Sequence, residues 1–168
     1  MKLIMTTSYR LAIMLLASFI LFSSCDKEDD LTIENKQVTG TMNYTTTSVV
    51  PLTFDSTGLI PLTARIGQSG TGTISDIGEV HMVAEFIFDF TTGTGTGFTT
   101  TYTGTNPANS FMVNGNSQVQ LDGTIDVNEN IISGTGKFSK IKGGGVTIVQ
   151  LNAQQTAGTG EIDWTVTF

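Results

Sequence analysis

The chain has 168 residues, of which 39% are hydrophobic and 14% charged, with a formal net charge of −7. Apolar content at low charge excludes a disordered chain, and the acidic balance excludes a nucleic-acid partner, because phosphate neutralisation needs clustered Lys and Arg. The 19 Gly and 29 Thr exclude an all-helical protein, a coiled coil and a Rossmann-type enzyme, since Gly weakens helices and Thr is stiff at χ1.

Residues 1–24 have the three-part plan of a secretory signal. Lys2 and Arg10 give a positive start, Leu11 to Phe22 is apolar apart from Ser18, and the small Ser23 and Ser24 precede Cys25. An apolar run of about a dozen residues is too short to span a bilayer, which needs ~20. The stretch Leu21-Phe22-Ser23-Ser24-Cys25 resembles the lipobox of bacterial lipoproteins, with Phe22 where a small aliphatic residue is usual. That resemblance implies cleavage before Cys25 and acylation of its sulfur. Cys25 is the only cysteine, so no intrachain disulfide is available to it. The following Asp26-Lys27-Glu28-Asp29-Asp30 resembles the export signal of surface-displayed lipoproteins in one large group of Gram-negative bacteria, with Lys27, Glu28 and Asp29 at its centre. The expected partner is thus a lipid bilayer through acylated Cys25. The expected location is the outer membrane, facing the cell surface, with a periplasm-facing anchor as the alternative. Cleaved at Cys25, the chain keeps six Lys and Arg against 15 Asp and Glu, a net charge of −9.

Residues 25–37 read as a lipidated cysteine on an acidic, flexible tether, and 38–168 as the folded domain. From Val38 the pattern has period two through Met42, Tyr44 and Thr46, as in a half-buried strand. Pro51 and Pro61 bracket Leu52 to Ile60 and predict an irregular connection. Gly78 to Phe90 is the clearest strand, with Val80, Met82, Ala84, Phe86, Phe88 and Phe90 on one face and Glu79, His81, Val83, Glu85, Ile87 and Asp89 on the other. The alternation continues at Phe98 to Tyr102, Val119 to Leu121, Ile125 to Val127 and Val146 to Ile148, and in Ile162, Trp164, Val166 and Phe168. No segment after residue 25 has a helical period. Ser69–Ile74, Ser133–Phe138 and Ala157–Ile162 echo one another through Gly-Thr-Gly, and Thr92–Phe98 is a longer variant. Glycines at alternate positions clear one strand face of Cβ atoms, as tightly curved barrels need. The expectation is an all-β fold, a single antiparallel barrel of about eight strands, with a β-sandwich as the alternative.

The segment Gly134-Thr135-Gly136-Lys137-Phe138-Ser139-Lys140-Ile141-Lys142-Gly143-Gly144 resembles a signature of allene-oxide-cyclase-like and dirigent-like barrels. In these a Gly-x-Gly-x-Phe/Tyr stretch precedes a small turn, another glycine and a further strand. The resemblance covers roughly residues 67–168. It implies an eight-stranded barrel with a partly apolar interior, and an apolar small molecule as ligand or substrate. It carries over no catalytic residue.

The chain is poor in groups that titrate or attack. His81 is the single histidine, and no Gly-x-Ser-x-Gly elbow accompanies it. Glu79, His81 and Glu85 share one strand face and are the weak candidate for a metal site, although that face reads as the solvated one. Asp122 and Asp126 would lie ~13 Å apart on a strand, too far for a glycosidase pair, and Gly123 makes Asp122 a turn residue. Trp164 reads as core. Asp55-Ser56-Thr57 resembles a bacterial O-glycosylation acceptor, with Ser56 modified. No cofactor is implied. The leading expectation is an exported lipoprotein whose barrel is a non-catalytic binding or structural module. The alternatives are a cyclase- or isomerase-like enzyme acting on an apolar small molecule, and a surface adhesin or matrix protein.

Overall fold

A computed structural model describes residues 34–168. The strands follow one another as β1 Lys36–Phe54, β2 Pro61–Ile74, β3 Gly78–Asp89, β4 Thr94–Gly104, β5 Ser110–Val119, β6 Ile125–Gly134, β7 Lys142–Leu151 and β8 Ala157–Thr167, with a 3₁₀ turn at Gly136–Phe138. Each pairs antiparallel with the next, and β8 returns to β1, closing an eight-stranded barrel. The β-sandwich alternative is excluded by that closure.

Period-two alternation sorts the side chains. In β3, Val80, Met82, Ala84 and Phe86 point inward and are buried, while Glu79, His81, Val83 and Glu85 are exposed. The Gly-x-Gly runs have a steric meaning that register reveals. Met42 faces Gly72 on β2 and Gly160 on β8, and Tyr44 faces Gly70 and Gly158. A Cβ on Gly160 would strike the Tyr44 ring, and one on Gly72 would strike the Met42 side chain. Small and large residues therefore alternate around the interior, so the cleared positions are filled from the neighbouring strand rather than left hollow.

The two ends differ. At the base lie the start of β1, the end of β8, the β2–β3 and β4–β5 connections and the 3₁₀ turn. Phe138 and Ile141 enter the barrel here and, with Ile77, are buried. The Phe138 ring meets Phe111 edge-on at 5.3 Å. Lys137 Nζ donates to the Ile77 carbonyl at 3.1 Å, joining the plug to the β2–β3 turn. Gly136 has φ +56, and a Cβ there would collide with the Ala108 carbonyl, so the plug requires glycine at this point. The opposite end, the rim, holds the four remaining connections: 55–60, 90–93, 120–124 and 152–156.

Four sequence expectations need correction. Leu121, Ile148 and Phe168 are exposed, and the buried residues of β7 are Thr147 and Val149. Pro51 does not end a strand: β1 runs through it to Phe54, with register shifts at Thr46/Ser48, Pro51/Thr53 and Thr53/Phe54. A proline is tolerated because this stretch of β1 has β2 as its sole strand neighbour among the described residues. Phe90 lies beyond the end of β3 and is exposed, because the Asp89 carboxylate accepts from the Thr91 and Thr92 N–H groups and starts a turn. Of the three Gly-Thr-Gly echoes, only Ser69–Ile74 and Ala157–Ile162 lie in strands; Gly136–Phe138 forms the 3₁₀ turn.

Candidate functional site

The most unusual group in the barrel is Glu129. In β6 it follows Val127 and precedes Ile131 in the inward phase, so a carboxyl stands where the pattern calls for an apolar residue. Its register neighbours are Gly115 on β5 and Gly145 on β7. Glu129 is 8% exposed. Tyr102 OH, from β4, donates to Oε1 at 3.2 Å, and Thr147 Oγ1, from β7, donates to Oε2 at 2.6 Å.

Burial pushes the Glu129 carboxyl up to about 7, while hydrogen bonding from Thr147 and Tyr102 and the nearby Trp164 indole hold it down from a still higher value. The Trp164 N–H nonetheless falls short of hydrogen-bond geometry. It and Ser117 Oγ are the buried side-chain polar atoms without a partner among the described residues. Tyr102 and Tyr44 are both pushed well above the usual phenol value, by burial first and by the Glu129 charge second. Both phenols therefore stay protonated, and Tyr102 can only donate to the carboxylate. The cluster can exchange one proton at neutral pH, or present a hydrogen-bonding group to a molecule inside the barrel.

Aromatic rings surround this cluster. Trp164 meets Tyr102 edge-on at 5.4 Å, Tyr102 stacks on Phe111 at 5.0 Å, and Phe86 stacks on Phe98 at 4.1 Å. Trp164 is a core residue, 1% exposed. Two hollows lie along the barrel wall. One of about 390 Å³ is lined by Asn43, Thr71, Glu79, His81 and Thr103, and one of about 470 Å³ by Phe98, Asn114, Asn116, Asn128, Asn130 and the buried Glu129.

The residues singled out from sequence are scattered. Cys25, Lys27, Glu28 and Asp29 lie outside the described residues. Ser56 sits exposed in the β1–β2 turn. Beside it the Asp55 carboxylate accepts from Thr57 Oγ1 at 2.8 Å and from the Leu59 and Ile60 N–H groups at 3.2 Å, which hold it below the usual value. Glu79 and His81 share the first outer hollow, but Glu85 is six residues along the strand, about 20 Å by strand rise. Glu85 instead lies 3.7 Å from the Arg65 guanidinium, and no group of three His, Cys, Asp or Glu among the described residues is placed to hold a metal. Asp122 caps the Thr124 N–H in the β5–β6 turn, while Asp126 accepts from Gln120. Glu129 was missed from sequence. The signal was a lone charge in the phase of Val127 and Ile131.

Comparison of the chain with protein-family models, with curated proteins and with solved structures gives no match.

Proposed function

We propose that this chain is an exported lipoprotein, held at an outer membrane by acylated Cys25 and displayed on the cell surface, whose barrel is a binding or structural module rather than an enzyme. The lipobox-like stretch, the lone cysteine and the acidic segment behind it support the anchoring. The observation that carries the second half is the packing of the interior. From Phe138 at the base to Phe86 and Phe98 towards the rim, large side chains of the chain itself occupy it. Small eight-stranded barrels are either filled or hold one ligand, and this one is of the filled kind. Recognition then falls to the rim and the outer wall.

A second reading follows the resemblance of Gly134–Gly144 to the cyclase-like barrels and is favoured by Glu129. A buried carboxyl poised near neutral pH, held by Tyr102 and Thr147, is the kind of group an isomerase uses to move a proton. That reading requires the aromatic side chains to part around an apolar molecule.

Expression of the full chain in a Gram-negative host fed an alkyne fatty acid tests the anchor. Label on the wild type, lost in Cys25→Ala, is the expected result, and an unlabelled wild type overturns it. Native mass spectrometry of the purified protein separates the two readings of the barrel. A barrel at polypeptide (plus lipid) mass supports the first, and a retained apolar molecule of defined mass supports the second.

A further inference from the structure

The barrel wall has a step where β1 meets β8. Pairing between them ends at Thr45 opposite Ala157, and just beyond it the Thr46 N–H donates to the Thr156 carbonyl at 2.8 Å. From Thr47 to Phe54, β1 pairs with β2 alone among the described residues. Its other edge there presents backbone N–H and C=O groups to solvent, with Pro51 removing one donor. Such edges are templates for an added strand, and proteins commonly guard them with Lys or other charges. This edge carries no charge between Thr45 and Phe54. Apolar side chains cluster on it and on the adjoining turn: Val49, Val50, Leu52, Phe54, Leu59 and Ile60 are all exposed, Leu59 at 81%. Leu121 and Phe90 add to the same rim. Exposed apolar side chains gathered on an unpaired strand edge in this way mark an interaction site.

Charge selects the occupant. The rim connections carry Asp55 and Asp122, with Asp89 at their edge and no Lys or Arg. Turn hydrogen bonds hold all three carboxyls below the usual value, so they are ionised at neutral pH. Lys36, Lys137, Lys140 and Lys142 all lie at the base, and the remaining cation among the described residues, Arg65 on β2 opposite Val50, lies 3.7 Å from the Glu85 carboxylate. An acidic rim repels a second rim and an anionic bilayer alike, and attracts a cationic partner.

We propose that the free edge of β1 over Thr47–Phe54 is a strand-addition site for an extended, basic and apolar segment of another protein. The partner's backbone completes the ladder that β8 leaves open, its apolar side chains cover those of β1 and the adjoining turn, and its Lys or Arg meet the rim carboxylates. The site does not depend on acylation of Cys25.

The probe is a fluorescein-labelled nine-residue peptide alternating Lys and Val, titrated by anisotropy against the full chain in detergent. Two control peptides replace the Lys with Glu, or every second Val with Pro. Saturable binding of the Lys–Val peptide is expected, with both controls roughly tenfold weaker or worse. The double variant Val50→Lys, Leu52→Lys changes only exposed side chains and should lose roughly tenfold in affinity with an unchanged circular dichroism spectrum. Equal binding of the proline peptide would reduce the effect to charge attraction and overturn the proposal. So would an affinity indifferent to the double variant. A concentration-dependent dimer abolished by the double variant, or its selective loss from phosphatidylglycerol vesicles, would assign the edge to a second copy or to lipid and equally overturn it.

Discussion

Replacing Glu129 by Gln removes the ionisable group from the interior while preserving its shape. The Gln amide can still accept from Tyr102 or Thr147. In the wild type the carboxyl titrates near 4.5 when unfolded and near 7 when folded. A folded value above the unfolded one means that the native state holds its proton more tightly. The associated stability is fully present below pH 4.5 and is lost as pH rises through about 7. At 1.36 kcal/mol per unit the loss is roughly 3 kcal/mol. Wild-type stability should therefore fall across pH 4.5–8, and Glu129→Gln should lack that fall. Asp55, Asp89 and Asp122 have lowered values, so their contribution is present above the usual aspartate range and is lost only at lower pH, outside this window. Urea unfolding of both proteins at pH 4.5, 5.5, 6.5, 7.5 and 8.5 measures the difference. With a denaturant slope of about 2 kcal/mol/M, the wild-type midpoint should drop relative to the variant by about 1.5 M between the extremes. Parallel curves for the two proteins would refute a buried carboxyl with a raised value.

Truncation of the aromatic centre, Trp164→Ala, should cost about 3–5 kcal/mol by thermal unfolding, because the ring packs against Tyr102 and Phe111 at 1% exposure. Phe138→Ala should cost a similar ~3–5 kcal/mol and increase hydrogen exchange at Ile77 and Phe111, which the plug covers. Gly160→Ala puts a methyl against the Tyr44 hydroxyl and ring and should destabilise by about 1–3 kcal/mol, with Tyr44→Phe giving only partial relief because the ring carbons remain in the way. His81→Ala should leave both the unfolding midpoint and calorimetric Zn²⁺ titration unchanged, since His81 is an exposed outer-wall residue with Glu85 far from it.

Side-chain parity is a local property of an extended chain, and it was legible without a structure. The inward face of β3 and the core placement of Trp164 follow from counting residues two at a time, and the turn role of Asp122 from the glycine after it. The Gly-x-Gly echoes pointed correctly to a closed barrel. What they clear space for, Tyr44 and Met42 reaching over from β1, needed the register between β1, β2 and β8. The end of β1 was misread because Pro51 is a breaker only where its N–H would have bonded, and the shortness of β8, set more than 100 residues later, decides that.

Glu129 shows the same division. Its inward phase is written in Val127-Asn128-Glu129-Asn130-Ile131. Its chemistry comes from Tyr102, 27 residues before it, and Thr147, 18 residues after it. Sequence by itself determined the all-β class, the inward faces of β3 and β8 and the acidic charge, because each rests on neighbouring residues. The tertiary structure alone decided which side chains share the interior, where the carboxyl finds its donors and which stretch of edge is left unpaired. Those depend on how eight registers close into one ring.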